Sequence, residues 1–139
     1  MLSKTVFEIE AGRAKREKQN DAEATYAPKI EKEDCKVDFS LDARAVSARI
    51  RGVTPIPGAF AYLNEKMIKI CRVSVLDKTA SGAEIGEVVD LDSSGDGSIS
   101  VACKSGILLI RSLKPEGKGV MSAGDFVRGR KIQKGDVFK

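Results

Sequence analysis

Between Phe60 and Leu113 the chain breaks into short apolar runs of period two, each closed by residues that favour tight turns. That pattern leaves room for little except a small antiparallel sheet. "FAYLNEKMIKICRVSVLD" reads as a hairpin, with Phe60 and Tyr62 before a polar turn near Asn64 and Glu65, and an apolar alternation from Met67 to Leu76 after it. "IGEVVDL", "SISVACK" and "ILLIRSL" follow as strands, separated by "DSSGDG" and "KSG", which are turn chemistry. Five or six short strands flanked by helices predict a mainly β fold, a small closed or nearly closed barrel, because a sheet of this size must manage its edges.

The flanks change period. In "CKVDFSLDARAVSARIRGVTP", Val37 and Phe39 alternate with polar residues. Ser40 is then the expected N-cap of a helix, with Asp42 in its first turn. Val46 and Ile50 share a face, and Pro55 and Pro57 end the helix and force an extended turn. At the other end of the chain, Leu2, Val6 and Ile9 mark one face of a short helix running to about Glu10 or Arg13. "GRAKREKQND" after it is basic, then polar, without apolar periodicity, and reads as a linker. A helix too short to be stable alone, followed by a linker, is expected to be the tail of a neighbouring domain, with Met1 an artificial start.

Composition excludes much chemistry. The chain of 139 residues has no His, which removes imidazole bases, His-containing triads and His–metal sites. Cys35, Cys71 and Cys103 are odd in number and widely spaced, which suits buried thiols rather than a disulfide framework or a zinc site. No apolar stretch approaches a membrane span, and the acidic Glu8 and Glu10 argue against a signal or transit peptide, so a cytoplasmic address without membrane contact is expected. The net charge of +4 is segregated: residues 77–96 carry six acids against Lys78, whereas residues 104–139 carry nine bases against three acids. The basic end offers a polyanion a favourable field.

Two phosphate- or metal-like motifs fail on spacing, and a third cluster lacks a pocket. "KPEGKGVMSAGDFVRGR" has glycines and lysines, but Gly119 is followed five residues later by Gly124, Asp125 and Phe126, not by the Gly-Lys-Ser/Thr of a mononucleotide loop. In "DLDSSGDG" an EF-hand count from Asp90 puts Ser94 at position five and Val101 where the closing Glu belongs. Glu33, Asp34 and Asp38 have no pocket implied around them and read as surface acids. Neither catalytic nor metal-binding residues are therefore assigned. Ser122 is placed to cap a short helix holding Phe126 and Val127, which would close one end of the barrel and leave a basic rim outside.

Three segments, "ATYAPKIEKEDCKVDFS", "IRGVTPIPGAFAYL" and "LKPEGKGVMSAGDFVRGRKIQKGDVF", occur in order and at matching spacing and resemble the C-terminal domain of methionyl-tRNA formyltransferases, over roughly Gln19 to Phe138. The family usually has Trp where this chain has Phe39 and Ile56, differences expected to matter mainly for packing, and often has Lys at the position of Gly119. The resemblance implies an OB-like open Greek-key barrel over residues 23–139, preceded at residues 1–22 by the end of a catalytic domain and its linker. It also implies a role: holding initiator methionyl-tRNA while the catalytic domain of the same polypeptide transfers a formyl group from 10-formyltetrahydrofolate. The family's active-site Asn, His and Asp belong to that other domain, so this chain alone is expected to be inactive, to bind no cofactor and to be monomeric.

Under that resemblance, Lys and Arg side chains are expected to meet RNA backbone, with little base stacking because aromatic residues are few. Two groups are candidates: Arg13, Lys15 and Arg16 in the linker, and Lys114, Lys118, Arg128, Arg130 and Lys131 around the barrel end. The linker group is favoured. The alternatives are the C-terminal domain of a formyltransferase acting on a sugar nucleotide or on folate, and a free-standing OB-like nucleic-acid-binding protein.

Overall fold

The computed structural model describes residues 2–129 and 132–139. Helix α1, Leu2–Glu10, stands at the start with no buried residue. Residues 13–20 are irregular, and two single 3-10 turns, Asp21–Glu23 and Glu33–Cys35, interrupt the path to helix α2, Ala43–Val53. Strands β1, Phe60–Leu63, and β2, Lys66–Leu76, form the expected hairpin. Its turn residues Asn64 and Glu65 both have positive φ, the conformation that lets a two-residue loop follow the twist of the strands. Strands β3, Val88–Asp92, β4, Ser98–Ala102, and β5, Ile107–Pro115, follow, then the two-residue β6, Met121–Ser122, and helix α3, Ala123–Arg128.

All strand pairs are antiparallel, in the order β1-β2-β5-β4-β3, with β6 on β5. Strands β3, β4 and β5 make a meander, and β2, joined to β3 by the long connection 77–87, lies beside β5. This is the Greek-key arrangement. The sheet of six strands is not a closed barrel, since β1 and β3 do not pair with each other. The carboxyl-terminal segment lies between them instead. Lys139 exchanges backbone hydrogen bonds with Tyr62 on β1 at 2.7 and 2.9 Å, while Val88 on β3 donates to Asp136 at 2.8 Å and accepts from Gly135 at 2.9 Å. Both sheet edges thus find partners in one short strap.

The core gathers Ile68 and Ile70 of β2, Val88, Ile99 and Val101 of β3 and β4, and Leu108, Ile110 and Leu113 of β5. Helix α2 adds Val46 and Ile50, and α3 adds Phe126. Phe39 and Phe138 meet in the same core, their ring centroids 6.0 Å apart. Two expectations need correction. The cap of α2 is Asp42, whose carboxylate accepts from the Arg44 N–H at 2.8 Å, whereas Ser40 donates its own N–H to Asp38 in a preceding turn. Ile56, between the two prolines that follow α2, is 87% exposed, so its difference from the family's Trp is a surface change and not a packing one. Phe39, by contrast, is buried as expected.

Candidate nucleic-acid interface

Helix α3 begins as the sequence indicates. The Ser122 hydroxyl accepts from the Asp125 N–H at 3.0 Å and donates to the Asp125 carboxylate at 2.8 Å. These bonds, with Arg128 beside the carboxylate, hold Asp125 below the ordinary carboxylate range. Phe126 is buried and Val127 half-buried, so the helix does cover the core at this end. In the preceding loop Gly117 has φ +70°, which suits the turn, whereas the close backbone contact is made by Gly124, inside α3.

The rim cations separate into different situations. Arg128 donates to Asp125 at 2.5 Å and to the backbone carbonyls of Ser93 and Gly95 in the β3–β4 turn. It ties α3 to that turn, and its donors are largely used within the domain. Lys118 is exposed and lines a cleft of about 370 Å³ with Lys66, Glu116 and Phe126. Lys114 is exposed on β5, and its register partner on β2 is Lys69. Arg130 and Lys131 lie outside the described residues. Arg13, Lys15 and Arg16 are exposed on the irregular segment after α1, where the Arg13 N–H still donates to the Glu8 carbonyl of that helix at 2.8 Å.

Sequence reasoning missed Lys66, Lys69 and Arg72. The signal was present: "KMIKICRVSVL" has three cations and no acid. Reading it for strand periodicity drew attention to its apolar residues. The acidic block is elsewhere, in the β2–β3 connection and the β3–β4 turn, where Asp77 forms a two-pronged pair with Arg44 at 2.5 and 3.2 Å and Asp92 accepts from Ser94. Among the described residues no cluster of His, Cys, Asp or Glu could hold a metal ion. Cys35, Cys71 and Cys103 are free thiols, and burial pushes Cys103 up to about 11. No platform of exposed aromatic rings exists on the described sheet: Phe60 is buried, and Tyr62 is half-buried with the Lys36 ammonium 5.9 Å from its ring centroid.

Residues 29–131 match the family model described as "Formyl transferase, C-terminal domain". The chain belongs to that family. It is 42% identical over 138 residues to a methionyl-tRNA formyltransferase of Citrifermentans bemidjiense, covering 99% of this chain and 42% of that protein. A methionyl-tRNA formyltransferase of Fusobacterium nucleatum is 38% identical over 136 residues, 98% of this chain and 43% of that protein. The chain therefore spans less than half the length of these relatives. Among solved structures, HypX from Aquifex aeolicus superposes with a TM-score of 0.64 at 17% identity, over 96% of this chain and 23% of that one. HypX in complex with tetrahydrofolic acid gives 0.61 at 19% identity, over 99% of this chain and 26% of that one. At such identities the likeness concerns the fold. Among the described residues no helix is long and apolar enough to cross a membrane.

Proposed function

We propose that this formyltransferase C-terminal domain binds initiator methionyl-tRNA for a methionyl-tRNA formyltransferase, presenting the acceptor end to a catalytic domain that uses 10-formyltetrahydrofolate. The observation that carries this is the conjunction of relatives named methionyl-tRNA formyltransferase with strongly basic strands at the centre of the sheet. Helix α1 supports a domain boundary near residue 22: Leu2, Val6, Phe7 and Ile9 are exposed together, and α1 precedes the family match. Their apolar face suits burial against the preceding catalytic domain. Arg13, Lys15 and Arg16 then lie on the segment joining the two domains and would border the groove where tRNA enters. The domain works as a monomer in the cytoplasm, binds no cofactor itself, and recognises RNA by charge and shape.

The test is binding of the 139-residue chain to tRNA across a salt series. With three to five phosphates contacted, log K falls with log salt with a slope of roughly −3 to −4. Incubation with methionyl-tRNA and 10-formyltetrahydrofolate yields no formyl-methionyl-tRNA. A slope near zero, absence of binding at low salt, or turnover above a blank would each overturn the proposal.

A further inference from the structure

Strands β2 and β5 are neighbours at the centre of the sheet and together carry five cations, Lys66, Lys69, Arg72, Arg111 and Lys114, with no Asp or Glu on either strand. Lys69 and Lys114 sit directly opposite each other, an arrangement that costs stability in an antiparallel pair. Among the described residues neither forms an ion pair; Lys69 donates to the Pro57 carbonyl at 3.1 Å, which holds its ammonium in place without neutralising it. A folded domain that keeps uncompensated repulsion in its central strand pair has a use for the charge.

The register supplies a second observation. Ile68 and Ile70 of β2 face the core, and Lys69 faces away. Strict alternation would turn Arg72 inward with the isoleucines. The pairing shifts at Cys71, so that Ile70 opposes Leu113 but Arg72 opposes Ser112. Ser112 and Lys114, two apart on β5, share a face, and the bulge therefore brings the exposed Arg72 to the side of Lys69 and Lys114. Arg111 differs, because it donates to the Ser74 hydroxyl at 3.1 Å and adds a favourable charge near Asp92, whose carboxylate is lowered chiefly by its hydrogen bonds from Ser94. The unneutralised group on this face is Lys69, Arg72 and Lys114; Lys66, two residues before Ile68, falls on the other side of the strand and lines the cleft with Lys118. From Lys69 to Arg72 the group extends about 10 Å at roughly 3.3 Å per residue.

We propose that this outer face of β2 and β5, centred on Lys69, Arg72 and Lys114, is the principal track for the sugar-phosphate backbone of the bound RNA, and that the linker cations are secondary. This rests on the tRNA-binding reading above. The arrangement of cations without exposed rings fits a folded RNA held by its phosphates, not splayed bases.

The experiment compares three chains, unchanged, K69Q/R72Q/K114Q and K15Q/R16Q, binding bulk tRNA across a salt series, with thermal melting of each. The strand variant is expected to lose at least about tenfold in affinity at low salt and to flatten the salt slope by roughly 2 to 3, about one per phosphate contact removed. Its melting temperature should not fall, since a repulsive pair has been removed. The linker variant should lose less affinity and slope. On the unchanged chain, tRNA should protect Lys69 and Lys114 from acetylation more than Lys78 and Lys104, a readout independent of how the variants fold. Binding by the unchanged chain with an unaltered slope in the strand variant, or equal acetylation of all four lysines with tRNA bound, overturns the track. Failure of the unchanged chain to bind at all overturns the tRNA reading itself.

Discussion

At Gly124 the first turn of α3 is pressed against the β3–β4 turn, with its N–H donating to the Asp96 carbonyl at 2.7 Å. A Cβ there would come within 2.6 Å of the Gly95 carbonyl oxygen and 3.0 Å of the Asp96 carbonyl carbon, both backbone atoms that cannot swing aside. Across the contact, Gly97 has φ +59° and equally little room, since its Cβ would meet the Gly124 Cα at 2.7 Å. Gly119, five residues earlier in the loop that precedes β6, has nothing within 4 Å of the Cβ position and no positive φ. Gly124→Ala should therefore cost about 1–3 kcal/mol through overpacking, whereas Gly119→Ala should stay within about 0.5 kcal/mol. Urea denaturation of the two variants checks the contrast. From sequence the two glycines look alike, as members of a loop rich in lysine and glycine. Only the close approach of a turn some thirty residues away distinguishes them.

The strap at residues 135–139 is the element that joins the two edges of the open sheet. It carries backbone bonds to Tyr62, Gly86 and Val88, and it inserts Phe138, 2% exposed, against Phe39. Without it, the facing sides of β1 and β3 would lose these partners. Phe138→Ala should cost about 3–5 kcal/mol by loss of burial and the cavity left behind, a large share of the stability of a domain this size. A midpoint in urea unchanged from the parent would show that the strap is peripheral. Sequence periodicity locates the strands and the hairpin turn well, because alternation and turn residues are local properties. The strap is short and has no alternation long enough to reveal it. The cap of α2 was misplaced by two residues for a related reason. Ser40 and Asp42 are both competent caps, and which one serves depends on where the Asp38 turn releases the chain.

Across the whole molecule, several carboxylates are held below the ordinary range by local partners: Asp38 by Ser40, Asp77 by Arg44, Asp92 by Ser94, and Asp125 by Ser122 and Arg128. A depressed folded-state value means that the folded chain releases these protons more readily than the unfolded one. The resulting stability is fully present above the unfolded Asp value of about 3.9 and is lost as pH falls through the folded values. The melting temperature should therefore show no loss from these groups between pH 7 and pH 5 and should fall below about pH 4, with Asp77→Asn reducing that acid dependence. A melting temperature that rises on acidification below pH 4 would contradict the assignment. These pairs are exposed, so each is expected to contribute little at neutral pH. The sequence by itself determined the strand and helix periods, the unsuitability of the glycine loop for a nucleotide, the absence of His and the resemblance that led to the family, since these follow from residue type and spacing along one dimension. Tertiary structure decided which cations stand together. Lys69 and Lys114 are 45 positions apart and become neighbours only through strand register. Arg72 joins them because a one-residue bulge reverses the face that alternation assigns it, and Arg128 leaves the free set because a distant turn brings carbonyls to its guanidinium.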